Sequence, residues 1–326
     1  MLTRRHLLTA AGALPLLMGQ GVLAQAKYPA KPIRIVVPSP AGSPIDAVAR
    51  KLGDSLSRRL AVTVLVDNKP GAAGSIGAAE VARAAADGYT LLFTVNDPLV
   101  GVLATMASLP YDPLKDFSFI TKVAVSGPVL AAHPSVKANN LSELVAEIKA
   151  GARHNYGSWG PGSLPMQVME SFAQQAGIKI TEVSYRGGPP ALQDLLAGQI
   201  QSTFLAPHLA PPLIADGKIK VIALVGKKRS TLLPNTQTFA EAGFNSFIFT
   251  NEIWVGLTAP AKLDRSIQDQ LANAVRASLQ EPELHKFLID IGFAIVAKTP
   301  DEFAKEHQAE VAVVPGLIRK LGVTPQ

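Results

Sequence analysis

The chain has 326 residues, no cysteine and a formal net charge of +6 at pH 7. The lack of cysteine excludes disulfides, thiolate metal sites, a cysteine nucleophile and a lipid-modified N-terminal cysteine. The basic residues form no run that could follow a phosphate backbone, so we expect no nucleic-acid partner.

The first 26 residues have the anatomy of a secretory signal peptide. A basic start with Arg4 and Arg5 precedes an apolar run over residues 7–18, and Ala24 and Ala26 occupy the −3 and −1 positions of a cleavage site. The apolar run is too short for a permanent membrane helix. We therefore predict removal of residues 1–26 and export to the periplasm, by either the twin-arginine or the ordinary Sec route.

Short apolar runs then alternate with helical patterns. Residues 33–37, 62–66 and 90–95 are predicted as buried strands of a largely parallel sheet. Apolar residues at helical spacing predict helices over 44–60 and 76–85. This strand–helix alternation is typical of an open α/β domain.

A second α/β series follows the predicted strands 119–125 and 129–132. Its predicted helices are 141–150, 164–176 and 190–196, and its predicted strands are near 155–156 and at 180–184 and 220–225. A strand at 253–257 and two helices, 264–279 and 300–321, complete the chain. Because about 300 mature residues are typical of two domains, we predict two lobes with a cleft. Residues 27–125 plus 251–326 would form domain 1, and residues 126–250 would form domain 2.

A Gly/Ser-rich turn over residues 39–43 joins the first predicted strand to its helix. Ser43 suits an N-cap, Pro44 suits the first helical position, and the Asp46 carboxylate can reach back to the cap amide. Gly42 allows the backbone to pass close to a ligand above the helix end. Helix N-termini after parallel strands carry free amides and lie at the edge of the sheet where ligands bind.

The second series contains a matching turn over residues 158–163, with Ser163 as a plausible cap for the helix that begins at Leu164. If the lobes face each other, two positive helix ends meet across one cleft, an arrangement that suits a small carboxylate. Capped helices after strands are also ordinary in α/β proteins, so each turn alone is weak evidence.

No constellation in the sequence indicates catalysis. Residues 71–77 lack the spacing of a dinucleotide-binding loop, and residues 156–160 depart from a nucleophile elbow because position 156 is tyrosine. The mature histidines do not pair at metal-ligand spacing, and only His208 is expected near the cleft. We therefore expect no catalytic residue, no metal site and no cofactor.

Several stretches resemble the receptor family of tripartite tricarboxylate transporters, also called Bug or TctC proteins. They include residues 28–38, 67–72, 87–92, 109–113, 185–187, 190–192, 194–199 and 240–243. The resemblance implies a two-lobed α/β fold of the type II periplasmic-binding-protein kind. It also implies a monomeric receptor that binds a small carboxylate, largely through amides, hydroxyls and water, and delivers it to membrane permease subunits.

The turns and the resemblance together nominate ligand-binding residues. These are Ser39, Ala41, Gly42, Ser43, Asp46, Asn96, Ser158, Gly160, Gly162, Ser163, Arg186 and Gly187.

The chain departs from the family pattern at several pocket positions. Ser39 replaces an aromatic residue, Ala41 and Ser43 replace a proline and a glycine, and Met166 replaces a frequent histidine. Asn96-Asp97-Pro98 stands where a Ser/Thr–His pair is usual, and Gln201 stands where an aspartate is usual. No ligand can therefore be transferred from relatives. A periplasmic sensor with a signalling partner, or a hydrolase or isomerase that uses the same cleft, stays an alternative.

Overall fold

The computed structural model describes residues 28–160, 162–320 and 322–325; the predicted signal peptide and its cleavage site lie outside this part of the chain. Its strands are β1 (Ile33–Val37), β2 (Val64–Asn68), β3 (Thr90–Val95), β4 (Phe117–Ser126), β5 (Val129–Ala132), β6 (Asn155–Ser158), β7 (Thr181–Ser184), β8 (Ser202–Leu205), β9 (Lys220–Leu224), β10 (Ile253–Pro260) and β11 (Ala294–Ile295).

The α-helices, with short 3-10 turns between some of them, surround two sheets. They are α1 (Pro44–Leu60), α2 (Ser75–Ala82), α3 (Val102–Thr105), α4 (Leu141–Lys149), α5 (Leu164–Ala176), α6 (Gly188–Leu196), α7 (Ala210–Ala215), α8 (Phe247–Thr250), α9 (Arg265–Ser278), α10 (Pro282–Asp290) and α11 (Pro300–Lys320). None of the described helices has both the length and the apolar character that crossing a membrane requires.

Lobe 1 is built on a six-stranded sheet in the order β11-β4-β10-β3-β1-β2. β1 pairs in parallel with β2 and β3, whereas β10 runs antiparallel between β3 and β4. The helix α1 packs on this sheet because Val48, Leu52 and Leu56 form one fully buried face.

Lobe 2 is built on a five-stranded sheet in the order β7-β6-β8-β5-β9. β6 pairs in parallel with β7 and β8, and β5 runs antiparallel to β8 and β9. Beneath it, Phe239 stacks on Phe249 at 5.2 Å between ring centroids, and Phe172 meets Phe239 edge-on. These buried aromatic rings give lobe 2 a core of its own.

The chain crosses between the sheets twice. It leaves the first sheet after Ser126 and returns at Ile253, and these two residues are register partners of β4 and β10. The C-terminal helices pack on lobe 1, where Gln268 on α9 donates to the Phe119 carbonyl at 2.6 Å. This topology supports the proposed domain boundaries at 125/126 and 250/251, which stay a prediction.

Several element boundaries differ from the sequence prediction. β2 begins at Val64 rather than 62, because Ala61 takes a left-handed conformation as the C-cap of α1. α2 ends at Ala82, three residues early, and β10 extends to Pro260. The sequence prediction missed α10, which is only nine residues long and buries Leu284 and Leu288.

Candidate functional site

A cavity of about 420 Å³ lies between the two lobes. Its volume is within the range of small-molecule sites, and such sites often lie at domain interfaces. The lobes touch around it: His208 of lobe 2 donates from Nδ1 to the Ile291 carbonyl of lobe 1 at 2.8 Å. A cleft between lobes is therefore present, and His208 lines it as expected.

The N-terminus of α1 reaches this cavity through Pro44 and Ile45. Ser43 occupies the N-cap position, and its Oγ accepts from the Asp46 amide at 3.3 Å. Pro44 has no N–H, and no described residue accepts a hydrogen bond from the Ile45 amide. The Ile45 amide is therefore a backbone donor of α1 at the cavity wall that has no acceptor among the described residues.

Asp46 has a structural role in the first turn. Its buried carboxylate accepts from the Gly42 amide at 2.8 Å, from Asn68 Nδ2 at 2.9 Å and from Arg50 Nε at 3.0 Å. Burial opposes ionisation, but the hydrogen bonds from Arg50, Gly42 and Asn68 together hold the pKa of Asp46 below its ordinary value. The carboxylate thus reaches Gly42 rather than the cap amide that the sequence suggested, and the Gly42 amide is already occupied.

The N-terminus of α5 reaches the cavity from lobe 2. Ser163 is the N-cap residue, but its Oγ accepts from the Trp159 amide at 3.2 Å and caps no amide of its own helix, contrary to expectation. Pro165 has no N–H, and no described residue accepts from the amides of Leu164 and Met166. The first turn of α5 therefore presents two donors that have no acceptor within the described part of the chain, at the end where the helix dipole is positive.

Gln167 lies on the next turn of α5 and lines the same cavity. Its Nε2 donates to the Gly162 carbonyl at 2.8 Å, which fixes the orientation of the side-chain amide. The Oε1 atom is buried and has no hydrogen-bond partner among the described residues. A buried carbonyl oxygen without a donor is unfavourable, so Gln167 marks a position where a donor is missing.

An acidic wall formed by Asp97 and Glu310 closes the lobe 1 side. Asp97 follows β3 and lines the cavity, and Glu310 on α11 is buried behind it. Glu310 accepts from Trp254 Nε1 at 2.7 Å and from the amide nitrogens of Asn96 and Asn251 at 3.1 and 3.3 Å. Burial and then the charge of Glu310 raise the pKa of Asp97 to about 6.

The cavity contains three of the nominated residues, namely Asn96, Ser163 and Gly187. Ser158 is buried and donates to Glu182 instead, and Gly160 donates to Ser158 Oγ at 3.3 Å. The remaining nominated residues also lie outside the cavity lining; they are Ser39, Ala41, Gly42, Ser43, Asp46, Gly162 and Arg186.

Gly162 is a contact between the lobes. It has a φ of +72°, and a Cβ at this position would lie 2.6 Å from Thr105 Cγ2 and 3.2 Å from Ile318 Cγ2 of lobe 1. Only glycine allows this close approach without displacement of neighbours.

Sequence reasoning missed Asp97, Gln167 and Asn251 as cavity residues. Asp97 could have been found because it follows a parallel strand at the edge where α/β proteins bind ligands. Gln167 is four residues after the Ser163 cap, so it lies one turn along the same helix face. Asn251 carried no local signal, because only the return crossing places it there. The described residues include no group of three His, Asp or Glu side chains that could hold a metal ion.

The chain is similar to a known protein family and to individual members of it. Residues 48–323 match the family model described as "Tripartite tricarboxylate transporter family receptor". The protein BugT of Bordetella pertussis is 32% identical over 297 residues, which cover 90% of this chain and 90% of BugT.

Solved structures share the fold. The periplasmic binding protein BugD is 29% identical with a TM-score of 0.74, over 92% of this chain and 100% of that one. MatC from Rhodopseudomonas palustris with bound malate is 27% identical with a TM-score of 0.73, over 89% of this chain and 100% of that one. The two-lobed α/β fold of periplasmic binding proteins, predicted from the sequence, is confirmed.

Proposed function

The chain belongs to the tripartite tricarboxylate transporter family of receptors, and on this premise we propose that its cavity holds a small organic carboxylate between the N-termini of α1 and α5. The protein is a solute-binding receptor for carboxylates, of the periplasmic binding-protein kind. After capture, it would deliver the solute to the membrane subunits of a tripartite transporter.

One observation carries the proposal: two helix N-termini from different lobes line the same cavity, and both have amides with no acceptor among the described residues. A carboxylate between them can accept from the Ile45 amide of α1 and from the Leu164 and Met166 amides of α5. A hydrogen bond to a charged group contributes about 1.5–3 kcal/mol. A few such bonds account for specific binding of a small anion without a basic side chain.

Backbone donors would supply the charge recognition without a cationic side chain, because none of the described cavity-lining residues is lysine or arginine. Amides at a helix end are held in place by the helix and lose little freedom when the ligand binds. The cavity therefore suits a small anion held between the two helix ends.

Closure of the lobes would complete the site. The crossings near Ser126–Val129 and Thr250–Ile253 connect two separate cores, and the lobes also meet at Gly162 and His208. Rotation about such crossings opens and closes a cleft in binding proteins of this type. A ligand that contacts both helix ends would stabilise the closed form.

Calorimetry and thermal denaturation with malate, adipate and other small carboxylates test the proposal on mature protein. A carboxylate at 100 times its dissociation constant should add about 2.7 kcal/mol of stability. Stabilisation by none of the carboxylates would contradict the proposed function. Uptake of a carboxylate that does bind should then depend on this protein in cells that contain the transporter.

We propose that the protein is exported by the twin-arginine route and that residues 1–26 are then removed. Lys27 would be the N-terminus in a periplasmic fraction, and replacement of Arg4 and Arg5 by lysine would leave the precursor in the cytosol. Mass spectrometry of the two fractions measures both, and unchanged export of the lysine variant would indicate the Sec route instead.

A further inference from the structure

A second pocket, of about 710 Å³, lies on lobe 2 away from the cavity between the lobes. β6 and β7 are parallel neighbours that begin in register. The lining of this pocket comes from segments 148–155 and 177–181, at the starts of the two strands. Trp159 and Gly187, which follow the same two strands, line the cavity instead. The pocket and the cavity therefore lie at opposite ends of β6 and β7.

Three cationic side chains line this pocket, and we call it the basic pocket. They are Lys149, Arg153 and Lys179, all of them exposed, and the lining includes no aspartate or glutamate. None of the three forms an ion pair or a side-chain hydrogen bond with a described residue, because the ion pairs described for lobe 2 lie elsewhere, within residues 216–218 and 229–241. The basic pocket thus has three cations for which the described chain supplies no anion.

His154 also lines the basic pocket, but it adds no charge at neutral pH. Burial lowers the pKa of His154 to about 4, and its Nε2 lies 2.8 Å from Ser202 Oγ. Glu147 is close enough for its charge to act on His154, but it does not line the pocket. Its carboxylate accepts from the amides of Ala138 and Lys137 at 2.9 and 3.4 Å. The charge of the lining is therefore that of the two basic segments.

Helix ends account for only one of the three cations. Lys149 is in the last turn of α4, where the helix dipole favours a positive charge. Arg153 and Lys179 lie beyond the ends of α4 and α5, outside the reach of that effect. Like charges around one concave surface repel each other and concentrate a positive field there. A bound anion would relieve this repulsion.

The shape and chemistry of the pocket favour a protein segment over a membrane surface. Membrane-surface binding combines basic side chains with large apolar ones that enter the lipid, and a bilayer is flat. The basic pocket is concave, and none of the exposed large apolar side chains of the described residues lines it. A protruding segment with several carboxylates can enter a concavity and pair with lysine and arginine.

We propose that the basic pocket is a docking site for an acidic segment of a partner protein, whose carboxylates contact Lys149, Arg153 and Lys179. The inference goes beyond the proposed function, because it does not depend on which solute occupies the cavity. Since the pocket belongs to lobe 2 alone and lies away from the cavity, a docked partner would leave the lobes free to open and close.

Fluorescence anisotropy with a labelled peptide of six glutamates tests the inference on mature protein. A peptide of six glutamines, which has the same length and no charge, is the control probe. The glutamate peptide should bind about tenfold or more tightly than the glutamine peptide, a difference of about 1.4 kcal/mol. Its affinity should fall severalfold when the salt concentration is raised from about 50 to about 200 mM, because salt screens exposed charges.

Two charge-reversal variants separate the pocket from the net charge of the protein. The first changes the three cations of the pocket together, as Lys149→Glu, Arg153→Glu and Lys179→Glu. The second makes the same change in net charge at three exposed lysines outside the pocket lining, as Lys228→Glu, Lys305→Glu and Lys320→Glu. The pocket variant should lose about tenfold or more in affinity for the glutamate peptide, and the control variant less than about threefold. Circular dichroism shows whether both variants keep the parent fold.

Several outcomes would overturn the inference. Equal losses in the two variants would show that the peptide senses only net charge, and equal binding of the two peptides would show that carboxylates are not recognised. Displacement of the peptide by glutarate at the same carboxylate concentration would indicate a site for small anions. If vesicles that contain phosphatidylglycerol bind through these cations and the glutamate peptide does not, the partner is a membrane surface and not a protein segment.

Discussion

The first turns of α1 and α5 have similar sequences but different hydrogen bonding. In α1, Ser43 caps its own helix and Asp46 occupies the Gly42 amide, so the turn satisfies most of its own donors. In α5, no acid lies in the first turn and Ser163 accepts from the Trp159 amide, so two amides have no acceptor among the residues that the structure describes. An acidic residue near a helix start can thus replace a ligand, and its absence leaves a site for one.

The largest effect on ligand affinity is expected when one backbone N–H at the start of α5 is removed. Leu164→Pro removes one donor, and it suits the fold because proline is favoured at the first helical position and Ser163 is already extended, with ψ 154°. We expect a carboxylate ligand to bind about 10–100-fold more weakly, as for loss of a bond to a charge. Calorimetry of the purified variant measures the effect.

Two controls separate the amide from the side chain. Leu164→Ala keeps the N–H and should retain most of the affinity. Leu141→Pro alters the first residue of α4, which is also a buried leucine after an extended cap but lies outside the cavity lining. Equal loss of affinity in Leu164→Pro and Leu164→Ala would contradict a role for the amide.

In α1, replacement of Asp46 by alanine should lower the stability of the protein rather than its affinity for the ligand. Asp46→Ala leaves the Gly42 amide, Asn68 and Arg50 without their shared acceptor, and we expect a loss of about 2 kcal/mol in the free energy of unfolding. Affinity should change less than about threefold, roughly 0.6 kcal/mol, because Asp46 itself does not line the cavity. Urea denaturation and calorimetry on the same preparation give both values. If Asp46→Ala instead had unchanged stability and bound the ligand more weakly, Asp46 would have a role in binding and not in stability.

The pH dependence of ligand binding tests the role of the acidic wall formed by Asp97 and Glu310. Because the pKa of Asp97 is raised to about 6, its carboxylate is ionised at pH 7 and mostly protonated at pH 5. Affinity for a carboxylate that stays ionised should therefore rise severalfold between pH 7 and pH 5, because protonation of Asp97 removes a like charge from the cavity. The variant Asp97→Asn isolates the share of this pH dependence that belongs to Asp97. A variant with the same pH profile as the parent would exclude Asp97 as its source.

The smallest effect on ligand affinity is expected from a substitution of Gly162, where the two lobes are in contact. Gly162→Ala introduces a Cβ that clashes with Thr105 and strains a left-handed residue. Gly177→Ala, at a φ of +63° with no neighbour within 4 Å, has the same strain without the clash. Both variants should lose about 1 kcal/mol of stability, but only Gly162→Ala should weaken ligand binding, by about threefold to tenfold or at most 1.4 kcal/mol. Equal affinities of the two variants would indicate that this contact does not affect binding.

Local sequence was sufficient for most of the longer elements of both lobes. Continuous apolar runs predicted β1 and β3, and helical spacing predicted α1 with its observed bounds. The cap positions Ser43 and Ser163 were also predicted, because a helix start depends on residues within one turn of it. The short helix α10 was missed because nine residues carry too little periodicity.

The sequence by itself determined the two α/β series, the helix starts and the family resemblance, since each depends on neighbours along the chain, and it also predicts the export signal. Tertiary structure decided which donors and acceptors reach the cavity. Asp97 and Glu310 are far apart in sequence, and the return crossing brings Asn251 beside them. Ser43 and Ser163 look equivalent in sequence, but their hydroxyls accept from different amides. Hydrogen bonds and electrostatic repulsion act over a few ångströms in space, and only the folded chain sets those distances.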